Sequence, residues 1–195
     1  MNDEEKIESF LKKNNNYIRT RNIIELGIDK KSIPKYVDEG IIKKVYHGIY
    51  MNPDIMEDEY YIIQLRYPSA IFSYNTALHI LDMTNLTPSV IDITSLSGKK
   101  IKGNYNIHYV SKEKYELGSV ITESPFGNPI KIYNAERCIC DMLKSDDEFD
   151  LELQNRILNT YFNSKEKNIK QLEEYAKKLN VYEKVNTIIE VMMKW

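Results

Sequence analysis

Residues 20–51 read TRNIIELGIDKKSIPKYVDEGIIKKVYHGIYM. Ile23, Ile24 and Leu26 behind Thr20 suit a short helix with Thr20 as N-cap. Gly27 ends it as a residue able to take left-handed backbone. A second helix opens near Asp29 or Ser32, where Pro34 is tolerated because it falls within the first turn. Ile33 and Val37 mark its apolar face, and Gly40 its end. Ile41–Tyr46 and Ile49–Met51 are β-prone, and His47-Gly48 between them suits a tight hairpin. Upstream, Ile7, Phe10 and Leu11 recur at helical spacing behind the acidic turn Asp3-Glu4-Glu5, and Asn14-Asn15-Asn16 stops that helix. Helix, helix, glycine-containing turn, helix and hairpin is the order of a winged helix-turn-helix.

The charge of the chain follows the same division. The whole protein of 195 residues has a net charge of −2, so no global field draws it to nucleic acid. Residues 12–50 nevertheless hold nine basic residues against four acidic ones. Lys31 and Lys35 lie opposite the Ile33/Val37 face, with Lys30 and Ser32 at the N-terminal end that a helix-turn-helix inserts into the major groove. Arg19, Thr20 and Arg21 flank the start of the preceding helix, a usual phosphate-contact position. Lys43, Lys44 and His47 stand on the hairpin, within reach of phosphate or minor groove. The plainer alternative is a solvated basic face on an ordinary helical subdomain.

Beyond Pro53-Asp54 the pattern predicts a helix over Glu57–Arg66, then a short apolar run at Ser69–Phe72 and a helix capped by Ser73. Strands are expected at Val90–Thr94, Tyr105–Val110, Ser119–Glu123 and Ile130–Tyr133, and helices from Asn134 to the end. Strands followed by helices argue for an α+β fold, with residues 1–54 as the winged helix-turn-helix and 55–195 as a mixed domain with a small sheet and C-terminal helices. Residues 97–114 form a second basic stretch: Lys99, Lys100, Lys102, Lys112 and Lys114 against a single Glu113, interleaved with Tyr105, His108 and Tyr109. That mixture suits RNA or an acidic partner as well as a solvated strand edge.

Several functions are excluded or left without support. Ser97–Gly103 lacks the upstream glycine and the following Ser/Thr of a phosphate loop. No Gly-x-Ser-x-Gly, His-Glu-x-x-His or paired Cys-x-x-Cys occurs, so no catalytic residue, cofactor or metal is expected, and the protein reads as a non-enzyme. Asp92 near Lys99 only faintly suggests a metal-dependent nuclease, because no Glu-x-Lys strand follows. Glu136, Arg137 and Asp141 form a polar cluster in which Arg137 and Asp141, four apart on a helix, suit a structural ion pair. Cys138 and Cys140 are expected as reduced, semi-buried thiols. The acidic start without an apolar run, and the lack of any long apolar span, point to a cytoplasmic protein with no membrane partner.

Three segments in order resemble the AbiEi-type antitoxins of abortive-infection (type IV) toxin–antitoxin systems. They are GIIKKVYHGIY at 40–50, YPSAIFSYNTAL at 67–78, and IYNAERCICDML at 132–143, the last carrying a Glu-Arg-x-x-x-Asp helix. The sequence departs in having His47 where Arg is common before the wing glycine, and Cys138 where Thr is common. The resemblance implies an antitoxin and transcriptional autorepressor. Its winged helix would bind inverted repeats in its own promoter, double-stranded DNA. Its C-terminal domain would counter a neighbouring nucleotidyltransferase toxin without a stable complex, in phage defence. The alternative is a transcription regulator whose C-terminal domain senses a ligand or dimerises.

Overall fold

A computed structural model describes residues 2–145 and 149–193. The architecture is mixed α+β, with two small sheets and a run of C-terminal helices. The chain divides into two compact units: Met1–Arg66 with Phe126–Asn128, and Tyr67–Pro125 with Pro129–Trp195.

In the first unit, α1 (Asp3–Lys13) opens with a capping box: Asn2 Oδ1 accepts from Glu5 N and Glu5 Oε2 from Asn2 N. It closes into the asparagine run, where Asn15 and Asn16 take positive φ and Asn16 N reaches back to Leu11 O. That turn leads into β1 (Tyr17–Arg19), a strand the sequence reading did not anticipate. Then come α2 (Thr20–Glu25), a single 3₁₀ turn at Lys30–Ser32, α3 (Ile33–Asp38) and the strands β2 (Lys43–Tyr46) and β3 (Ile49–Met51).

Both inner helices end by the same device. Gly27 N donates to Ile24 O and Ile28 N to Ile23 O; Gly40 N donates to Val37 O and Ile41 N to Tyr36 O. These are Schellman closures, and both glycines carry the left-handed φ that closure requires, +79° and +72°.

The strands pair in the order β1-β3-β2, all antiparallel. One cluster packs Ile7, Leu11, Ile18, Ile23, Ile28, Ile33, Tyr36, Ile42 and Tyr50. A second joins Tyr17, Ile49 and Met51 to Ile62 of α4 (Glu59–Arg66). Period-two alternation sends Ile18 to one cluster and its neighbour Tyr17 to the other. Tyr17 Oη also accepts from Asp58 N, and Asp58, fully buried, takes a bond from Asn128 Nδ2 at 2.7 Å. This packing is why the first unit runs to Arg66 rather than ending at the expected residue 54.

The second unit holds a five-stranded mixed sheet in the order β6-β5-β4-β8-β7. Its strands are β4 (Ile71–Phe72), β5 (Ile91–Leu96), β6 (Tyr105–Val110), β7 (Ser119–Glu123) and β8 (Pro129–Tyr133). β4 pairs antiparallel with β5 and parallel with β8, and β5 with β6 is parallel. The helices are α5 (Tyr74–Ile80), α6 (Lys112–Tyr115), α7 (Ala135–Lys144), α8 (Leu151–Asn163), α9 (Ile169–Leu179) and α10 (Tyr182–Met192). Ser73 sits at the N-cap of α5 as expected but makes no capping bond, because its hydroxyl accepts from Thr94 Oγ1 instead. Asn134 does cap α7, accepting from Arg137 N.

Every residue of α7 from Glu136 to Leu143 is buried, including Cys138 and Cys140 at 0% exposure, where half-buried thiols were expected. Burial pushes the Cys140 thiol up to about 12 and Cys138 well above its ordinary value. No helix among the described residues is long and apolar enough to cross a membrane.

Candidate nucleic-acid interface

The start of α3 is built by its side chains and its turn. Asp29 Oδ1 accepts from Lys31 N at 2.9 Å and fixes the 3₁₀ turn. Ile28 and Ile33, both buried, pin the turn from beneath. Lys30 and Lys31 are exposed at its tip, with Ser32 half-exposed beside them. Among the described residues no ion pair engages Lys30, Lys31, Lys44 or Arg21. Two candidates are partly spent: Lys35 lies 3.7 Å from Glu39, and Lys43 lies 2.7 Å from Glu57.

The hairpin is held against the start of α2. Thr20 N donates to Gly48 O at 3.0 Å, and a Cβ on Gly48 would meet Thr20 Oγ1 at 3.3 Å. Of the two turn residues only Gly48 has positive φ, and the strand register shifts between Lys44 and Tyr46. His47 stands exposed at the tip.

Arg19, unlike Arg21, is not fully exposed. It is half-buried, and its Nη1 donates to Leu65 O at 3.3 Å. Burial, with the charge of Arg21 beside it, pushes its guanidinium below the usual value. Its geometry is that of a brace between the start of α2 and the end of α4.

A cation that the sequence reading passed over stands nearby. Arg66 stacks over the Tyr46 ring at 3.6 Å and donates from Nη2 to its hydroxyl at 2.8 Å. In the sequence it is only the last residue of the helix expected over Glu57–Arg66. Nothing local to Tyr46, twenty residues earlier in the chain, signals the pairing.

In the second unit Lys99 and Lys100 follow the C-terminal end of β5 and Lys112 and Lys114 that of β6, while Lys102 lies in the connection that leads back to the start of β6. β5 and β6 are parallel, so the exits of the two strands stand at the same end of the sheet. Ser97 N donates to Val110 O, joining the two exits. Tyr67 Oη accepts from Lys102 N and donates to Lys102 O, each at 2.9 Å, while Tyr115 Oη bonds Ser69 O. Lys99, Lys100, Lys102 and Lys112 are exposed and Lys114 half-buried.

Arg137 steadies this end from within. Its Nη1 donates to Lys114 O and Leu117 O and its Nε to Asp141 Oδ2, and its guanidinium lies 4.1 Å from the Tyr133 ring centre. The expected ion pair is therefore present, and it also anchors α6.

Asp92 is spent in packing: its Oδ1 lies 3.1 Å from His108 Nε2, its own N donates to Thr76 Oγ1, and His108 stacks on Tyr74. Among the described residues no group of three His, Cys, Asp or Glu could hold a metal.

The first unit is thus a small helical core backed by a three-stranded sheet, with unpaired Lys30 and Lys31 at the tip of one short helix and unpaired Lys44 on the hairpin. Over residues 5–53 the chain matches the family model described as transcriptional regulator, AbiEi antitoxin, the family its segments resemble. Among solved structures, the RV2827C protein from Mycobacterium tuberculosis is similar with a TM-score of 0.48 and 11% identity. That alignment covers 93% of this chain and 78% of the other. No curated protein matches the chain.

Proposed function

We propose that the protein is an antitoxin and transcriptional autorepressor whose first unit is a winged helix-turn-helix reading its own promoter. The observation that carries this reading is the capped start of α3, with Lys30 and Lys31 exposed and unpaired beside Ser32. In this reading Lys30, Lys31, Ser32 and Lys35 face base edges. Arg21, Thr20, Lys43, Lys44 and His47 contact phosphate. Arg19 acts as the brace that keeps α2 in place. The family match supports the regulator role, and the resemblance supplies the remainder: inverted repeats as operator, and a nucleotidyltransferase toxin countered without a stable complex. Lys99, Lys100, Lys102, Lys112 and Lys114 of the second unit are the surface we assign to neutralisation.

The test is binding to duplex DNA from upstream of the gene against a scrambled duplex, at two salt concentrations. With three phosphate-neutralising cations per copy, Arg21, Lys43 and Lys44, log K falls against log salt with a slope of about −3. Specific, salt-steep binding supports the reading; equal affinity for both duplexes overturns it. Co-expression with the neighbouring toxin gene then tests neutralisation. Charge reversal at Lys99, Lys100 and Lys102 that leaves the cells protected removes that surface from the proposal.

A further inference from the structure

Glu136 is 5% exposed, yet only one of its carboxylate oxygens has protein partners. Oε1 accepts from Tyr161 Oη at 3.0 Å and from Asn168 N at 3.2 Å, tying the start of α9 to α7. Oε2 has no hydrogen-bond partner among the described residues, and it is not sealed from solvent. The residue lines a cavity of about 270 Å³ in the second unit.

Thr160 and Ser164 add acceptor oxygens to that cavity, while its donors are engaged elsewhere, Asn134 Nδ2 with Gln171 Oε1 and Tyr161 Oη with Glu136 itself. Thr160 lines it, and its hydroxyl already donates to Arg156 O at 2.9 Å, leaving lone pairs. Ser164 also lines it, and its Oγ accepts from Glu166 N with a lone pair still open. Leu81, Met83 and Ala135 supply an apolar wall. Lys167 also lines the cavity, but its Nζ donates to Ser164 O at 3.2 Å, and among the described residues no ion pair joins it to Glu136.

An open carboxylate oxygen, two hydroxyl oxygens with lone pairs to spare and an apolar wall have one complement in common. A primary ammonium carries three donors and a positive charge, and its alkyl stem suits the wall. The volume lies below the roughly 300–1,000 Å³ of drug-sized sites, which fits a short amine. We propose that this cavity binds the ammonium end of a primary alkylamine. Glu136 is the counter-charge, Thr160 and Ser164 are the further acceptors, and Leu81, Met83 and Ala135 line the stem. The ammonium can come from a free diamine or from a lysine side chain of a partner protein. The inference does not depend on DNA binding by the first unit.

The experiment is calorimetric titration of the full chain with n-butylammonium, with tetramethylammonium as a cation lacking N–H donors. Saturable binding of the first, and at least tenfold weaker binding of the second, is expected. Glu136→Gln should weaken n-butylammonium at least tenfold. Because that change also touches the tie to α9, Thr160→Val is the second variant: it removes one acceptor from an exposed position and should weaken binding several-fold with an unchanged melting temperature. Equal heats for the two cations, or wild-type affinity in both variants, overturns the proposal. Titration with 1,4-diaminobutane and with a blocked lysine distinguishes the sources, since the tighter of the two identifies the natural ligand.

Discussion

Lysine side chains at the tip of α3 illustrate how much a single position contributes here. Lys30 and Lys31 have no competing carboxylate, whereas Lys35 shares Glu39 and Lys43 shares Glu57. Lys31→Ala should therefore weaken promoter binding more than Lys35→Ala, and the double variant by about 1–3 kcal/mol in filter-binding titrations. Unchanged affinity in the double variant would remove α3 as the reader. Lys44→Ala should instead weaken specific and scrambled duplexes alike and make the salt slope shallower by about 1. Gly48→Ala faces two obstacles, a φ of +71° and the Thr20 hydroxyl 3.3 Å from the new Cβ. About 1–2 kcal/mol of strain is expected at that turn, read as a lower melting temperature together with weaker binding.

At the scale of the element, α7 is the most heavily committed helix. Arg137 meets Asp141, two carbonyls and an aromatic face at once, so Arg137→Met leaves a buried carboxylate and two carbonyls short of partners. A loss of about 3–5 kcal/mol is expected in denaturant titrations. The two thiols of the same helix should be silent to a thiol reagent at pH 8 and both should appear on denaturation. Their raised values also fix a direction for pH. Below pH 9.0, the ordinary thiol value, folded and unfolded chains hold the same protons, so stability is unaffected. Above it the unfolded thiols ionise and the buried ones do not. Stability then falls by up to about 1.4 kcal/mol per pH unit for each thiol. Alkaline denaturation curves of Cys138→Ala and Cys140→Ala, each flatter than wild type, would bear this out.

For the whole molecule, two compact units with separate cores mean that damage to one can be read apart from the other. Ile23 is fully buried in the first unit's core, and Ile23→Ala should cost about 2–5 kcal/mol there. Promoter binding should fail while the thiols, which lie in the second unit, stay protected. Exposure of the thiols at the denaturant concentration that abolishes binding would show instead that the units unfold together.

Local chemistry made the helices other than the one-turn α6, the hairpin and the strands Tyr105–Val110 and Ser119–Glu123 legible, because apolar periodicity and glycine positions act over a few residues. Leu-Gly-Ile at 26–28 and Gly-Ile at 40–41 carried their Schellman closures openly. The three-residue strand β1 was not legible, since so short a run has no periodicity of its own and exists only by pairing with β3. Nor was the extent of the first unit, because the second face of its sheet is closed by α4 through Tyr17 and Ile62.

The sequence by itself determined the local elements, the concentration of positive charge in residues 12–50, and the lysines of 99–114. These follow from residue type and spacing. Only the tertiary structure decided that Arg19 turns inward to Leu65 while Arg66 joins Tyr46, and that parallel pairing of β5 with β6 brings the exits of those strands, followed by Lys99, Lys100, Lys112 and Lys114, to one end. It alone left one oxygen of Glu136 open to a cavity. The physical reason is the same in each case: burial and hydrogen bonding join groups far apart in the chain, and the partner a side chain finds there is set by how the elements pack rather than by its neighbours in sequence.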